Sequence, residues 1–101
     1  MEIDQINTIT NQTTYKLHIM TLHELTLLIL KSTYKLSDIE KAIKNTYKGI
    51  IVIAVTVYSE YSVLILHDKI KDIYIIIRKS STSIDIKYTN GEEGTIELNK
   101  N

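Results

Sequence analysis

The chain has 101 residues, with 12 acidic side chains, 12 basic side chains and no cysteine. A chain of this length builds one hydrophobic core, and its balanced charge lacks the basic excess of a dedicated nucleic-acid binder. The missing cysteine excludes disulfides, thiolate metal sites and a cysteine nucleophile.

The apolar runs fall far short of the ~20 residues that a membrane-crossing helix needs. The first ten residues, MEIDQINTIT, are acidic and polar, without the basic and apolar regions of a signal peptide. No signal peptide or membrane association is expected. Isoleucine is the commonest residue; Phe, Trp and Pro are absent, and all seven aromatics are Tyr.

One α+β domain over residues 1–101 is expected, with 1–13 poorly ordered. Tyr15 to Met20 alternates apolar and polar side chains, which predicts a short strand. Thr21 and Glu24 have capping-box spacing and open a helix over Leu22 to Ser32 that is apolar nearly all round, the mark of a buried helix. Ser37 and Glu40 form a second capping box. They predict a helix over Asp38 to Lys48 that ends in a left-handed Gly49 cap. Lys41, Lys44 and Lys48 fall on its face opposite Ile39, Ala42, Ile43 and Tyr47.

Strands follow at Ile50–Tyr58, Tyr61–Leu66, Asp72–Arg78, Ser83–Thr89 and Thr95–Leu98, with His67-Asp68 in a turn and Asn90 to Gly94 as a hairpin loop. Connections this short force antiparallel pairing. The expected architecture is an N-terminal strand and two helices followed by an antiparallel β-meander, with the helices packed on one face of the sheet. A Thr-Tyr-Lys triplet recurs at residues 14, 33 and 46, at unequal spacings that fit biased composition better than duplication.

The central strands are apolar on both faces. Strict alternation puts Ile50, Val52 and Ala54 on one face and Ile51, Ile53, Val55 and Val57 on the other. Each exposed Ile or Val forgoes about 1.5–3 kcal/mol of burial. The second face therefore calls for the N-terminal strand, a second subunit or a bound partner. An edge strand such as Ser83–Thr89 or the N-terminal strand could accept a partner's extended peptide, but both are short and charged, so contact through a face or groove is favoured over contact through an edge.

Little else suggests chemistry. His23-Glu24 lacks the second histidine of a zinc-protease helix, no Gly-rich phosphate loop is present, and Glu92-Glu93 has the form of a solvated loop pair. No enzyme activity, cofactor or metal is expected. Residues 31 to 48 carry five lysines against two acids, a stripe able to meet phosphate or an acidic partner.

In length, in Ile, Lys, Tyr and Thr enrichment and in lack of cysteine, the chain resembles the small orphan proteins of crenarchaeal filamentous viruses of Acidianus and Sulfolobus. Small proteins of phages with AT-rich genomes look similar. No motif carries the resemblance, so no residue role is transferred from it. It implies a viral accessory protein acting in the host cytoplasm by binding host or viral proteins.

The expected function is a non-enzymatic protein–protein interaction module, with a homodimer among its partners. Its contact residues would be Lys41, Lys44, Lys48, Ile51, Ile53 and Val55. The alternative is nucleic-acid binding through the lysine stripe.

Overall fold

Connections of two to four residues leave consecutive strands no route but an antiparallel return. A computed structural model describes residues 20–98. Helices α1 (Leu22–Leu30) and α2 (Leu36–Thr46) precede strands β1 (Ile50–Val57), β2 (Tyr61–Asp68), β3 (Ile73–Ser80), β4 (Ser83–Tyr88) and β5 (Glu93–Glu97). The strands form one antiparallel sheet in chain order, so the fold is α+β. The expected arm at residues 1–13 lies outside the described residues. So does the expected N-terminal strand, apart from Met20, which is buried in the core. No described helix is long and apolar enough to cross a membrane.

Helix α1 starts at the expected capping box. Thr21 Oγ1 accepts from the Glu24 amide at 3.1 Å, and Glu24 Oε1 accepts from the Thr21 amide at 3.3 Å. Its expected burial all round does not hold: Leu25 and Ile29 are buried, whereas Leu27 and Leu30 are exposed. Tyr34, in the link to α2, has a left-handed φ of 68° and donates its amide to Ser32 Oγ at 3.1 Å.

Helix α2 departs from expectation at both ends. It begins at Leu36, and its N-cap, Lys35, makes no side-chain cap. Ser37 lies inside the first turn, too late to cap it, and Asp38 instead accepts from Thr33 Oγ1. At the other end Tyr47 turns extended (φ −124°, ψ 116°) as its ring enters the core, so Lys48 falls beyond the helix. Gly49 is therefore not a left-handed cap. Gly91 is the one described glycine with positive φ. A Cβ on Gly49 would lie 3.0 Å from Ile70 Cδ1.

Buried helix residues Leu25, Ile29, Ile39 and Ile43 join one cluster with Leu64, Leu66, Ile75, Ile77, Ile84 and Ile86. Helix α1 touches α2 and β5, and α2 touches β1 and β2. Leu22 lies over Gly94, where an added Cβ would stand 3.6 Å from it. The sheet face holding these buried side chains is the inner face, and burial of each contributes about 1.5–3 kcal/mol.

Strand β1 breaks the expected alternation. Val52 pairs with Leu66 and Ala54 with Ile65, so two β1 steps answer one β2 step and Ile53 is the extra residue of a β-bulge. Before the bulge Ile50 and Val52 lie opposite inner-face residues; after it Val55 does so, paired with Leu64. Val55 and Val57 thus belong to the inner face, and Ala54 and Thr56 to the outer face with Ile51. This corrects the simple alternation, which counts every residue of the strand as a ladder step.

The bulge yields a test. Deleting Ile53 should give an unbroken ladder in the same register and change stability by no more than about 1 kcal/mol, because the residue has no cross-strand partner. Urea denaturation measures the stability. NMR contacts between Val52 and Leu66 and between Ala54 and Ile65 report the register, and loss of either contact would show that Ile53 sets it.

Candidate interaction surface

Cross-strand partners set out the outer face in rows. Ile51, His67 and Tyr74 form one row; Ala54, Ile65, Ile76 and Lys87 the next; Thr56, Val63, Arg78 and Asp85 a third. Over β1–β3 the surface is apolar at its centre, around Ala54, Val63, Ile65 and Ile76, and over β4–β5 it is charged. The aromatic groups gather at its two ends. His67 stacks on Tyr74 with centroids 4.6 Å apart, and the Arg78 guanidinium sits 4.2 Å from the centroid of Tyr61, itself 4.8 Å from Tyr58. Arg78 also reaches Asp85 at 3.7 Å, and Thr95 donates to Asp85 at 3.0 Å.

His67 and Asp68 extend β2 instead of forming the expected turn. His67 then faces outward with Nε2 3.0 Å from Asp72 Oδ1, and Asp68 faces the core. Alternation from Ile51 was the signal for this outer row, and it needed only two more residues of strand.

The three apolar residues singled out from sequence share an edge of the sheet but not a face. Ile51 is on the outer face, Ile53 is the bulge residue, and Val55 is on the inner face. All three are exposed, at 41%, 51% and 48%, and Val57 reaches 77%. Strand β1 is an edge strand of eight residues without a charge, whereas β5 at the other edge is shorter and carries Glu93 and Glu97. The expected edge at Ser83–Thr89 is an interior strand, β4, paired on both sides.

The lysines form a weaker constellation. Lys41, Lys44 and Lys48 are all exposed, but Lys44 pairs with Glu40 at 3.8 Å and Lys48 has left the helix. Between α1 and α2 an open groove of about 440 Å³ is lined by Leu27, Leu28, Lys31, Ala42 and Tyr47. The Tyr47 hydroxyl donates to Glu24 Oε1 at 3.4 Å. Burial, then the Glu24 charge and this bond, raise the Tyr47 pKa.

A second polar group lies beneath the β2–β3 turn. Asp68 Oδ1 accepts from the amides of Ile70 and Lys71 at 3.0 and 3.2 Å and so shapes the turn. Asp68 Oδ2 and the Tyr88 hydroxyl are buried without a hydrogen-bond partner. Burial first, then the charges of Glu92 and Asp68, push the Tyr88 pKa well above the usual tyrosine value of 10.0. Among the described residues no group of three or more His, Cys, Asp or Glu could hold a metal ion.

Tyr88 makes alkaline stability testable. Its folded pKa is raised, so its stabilising contribution is whole below about pH 10, the unfolded value, and is lost as pH rises through the folded value. Tyr88→Phe should leave stability at pH 7 unchanged or raise it by about 1 kcal/mol, because the hydroxyl it removes is buried without a partner. The variant should also lose less stability than wild type between pH 9 and pH 12 (roughly the span around an ordinary tyrosine pKa). Urea denaturation across that span is the measurement, and an equal alkaline loss in both proteins would assign the effect elsewhere. Comparison of the chain with protein-family models, with curated proteins and with solved structures finds no match.

Proposed function

We propose that this chain is a non-enzymatic protein–protein interaction module whose contact surface is the outer face of β1–β3. In this reading both helices cover the inner face, and the outer face is the one offered to a partner. The observation that carries it is the division of the outer face into an apolar half around Ala54, Val63, Ile65 and Ile76 and a charged half over β4–β5. A face evolved only for solvent would alternate apolar inward and polar outward on every strand. Here only β4 and β5 do so. His67, Tyr74, Tyr61 and Arg78 flank the apolar half with the residue types enriched at protein contacts.

Nucleic-acid binding through Lys41, Lys44 and Lys48 has less support. Lys44 is engaged by Glu40, and the aromatic rings of the outer face lie on a different surface from α2. The viral resemblance suggests a host or viral protein as the partner, met in the host cytoplasm.

Ile76→Glu tests the surface. The new carboxylate would stand opposite Lys87, a favourable cross-strand pair, so the sheet should tolerate it. Affinity capture from the host should recover a partner with wild type and with Lys41→Glu/Lys48→Glu, with or without nuclease. With Ile76→Glu, affinity should fall at least tenfold, about 1.4 kcal/mol. Recovery that is lost on nuclease treatment and in the lysine variant, but kept in Ile76→Glu, would instead assign the function to the lysines.

A further inference from the structure

The open edge of β1 carries a second and separate feature. The Tyr58 amide donates to Tyr61 O at 2.8 Å, and the Lys69 amide donates to Gly49 O at 2.9 Å. Antiparallel ladders alternate between residues that bond the neighbouring strand and residues whose N–H and C=O face away from it. Counting inward from these two bonds, Gly49 and Ile51 at one end and Ala54, Thr56 and Tyr58 at the other bond β2, with the Ile53 bulge absorbing the change of phase. The backbone groups of Ile50, Val52, Val55 and Val57 therefore face the open side. Among the described residues no strand pairs with them.

These four residues are symmetric about the middle of the strand. We propose that β1 pairs antiparallel with β1 of a second copy of this chain, across a two-fold axis between Ile53 and Ala54. The register sets Ile50 of one copy opposite Val57 of the other, and Val52 opposite Val55. Both of these pairs are apolar, and each joins residues whose amides face the junction. Inner faces then meet inner faces, so the two sheets run on as one of ten strands.

The choice of a second copy rests on charge and on burial. The strand has no charged residue, so the two-fold brings no like charges together. Just beyond its ends, Lys48 of one copy comes beside Ser59 and Glu60 of the other, and the two-fold repeats this at the far end. Lysines and prolines are the usual guards against such pairing, and β1 has neither. Val57 is an inner-face residue left 77% exposed. The pairing sets it beside Ile50 of the other copy, which is buried near the end of α2. The pairing uses the edge of the sheet and goes beyond the outer-face reading, which stands or falls without it.

Sedimentation equilibrium and amide hydrogen exchange on the whole chain test the proposal. The unmodified protein should reach twice its mass of 11.6 kDa as concentration rises. The amides of Val52, Val55 and Val57 should slow at least tenfold between dilute and concentrated samples, while those of Glu93 to Glu97 stay unchanged. Val55→Lys/Val57→Lys should give the single-chain mass with an unaltered circular dichroism spectrum, and Ile76→Glu should keep the double mass. A single-chain mass at every concentration would overturn the proposal. So would a double mass that survives both lysines, or one that is lost with Ile76→Glu alone. Should the double-lysine variant fail to fold, the exchange of the unmodified amides decides: no concentration dependence at Val55 and Val57 would overturn the pairing.

Discussion

The ratio of apolar sheet surface to helical cover governs this molecule. Helices α1 and α2 have 9 and 11 residues, and so are roughly 14 and 17 Å long. Five strands span about 19 Å across their four gaps, and eight-residue strands run about 26 Å. Two such helices are sufficient for the middle of one face. Leu64, Leu66, Ile75, Ile77, Ile84 and Ile86 are fully buried, in one cluster with Leu25, Ile29, Ile39 and Ile43 of the helices. At the far end of β1 Val55 and Val57 are exposed, and on the outer face Ile51 is exposed and Ile65 and Ile76 are half-buried. The sequence continues to place isoleucine and valine where this cover ends, and those positions are where an interaction is to be sought.

Strand β1 meets the same constraint in its own way. Eight residues without a polar side chain other than Thr56 cannot distinguish inside from outside by pattern. Register is then set by the neighbour, and β2 supplies it. Leu64 and Leu66 must face the core, and the Ile53 bulge lets β1 follow them. The bulge also puts Val55 and Val57 on the face of Leu64, where both stay exposed. One inserted residue thus accounts for an exposed inner-face end, a phase change in the ladder and a symmetric set of backbone groups on the open side.

Much of this fold was legible because local chemistry and global packing agree. Thr21 and Glu24 cap α1 as their spacing demands, Ile39 and Ile43 bury the expected stripe of α2, and β4 alternates with Ile84, Ile86 and Tyr88 inward. The failures have a common cause in tertiary packing that overrides a local signal. Tyr47 leaves the helix for the core, which removes Gly49 from its expected cap. The sheet carries β2 on through His67 and Asp68, residues whose types suggest a turn. The uniform apolarity of β1 hides the bulge, since Ile53 is chemically the same as its neighbours. For the candidate surface, the strand that carries Ile51, Ile53 and Val55 was legible, but their division between two faces and an edge was not. Strand order alone determines that β1 is the uncharged edge and β4 an interior strand.

The central claim is that one face of this sheet is covered and the other is offered to a partner. Methyl relaxation in the presence of a soluble paramagnetic probe measures that difference directly, in dilute unmodified protein. The account predicts strong attenuation for the methyl groups of Ile51, Ile65 and Ile76 and almost none for Leu64, Leu66, Ile75 and Ile77. Equal protection of the two sets would contradict it, because the outer face would then already be covered within the single chain.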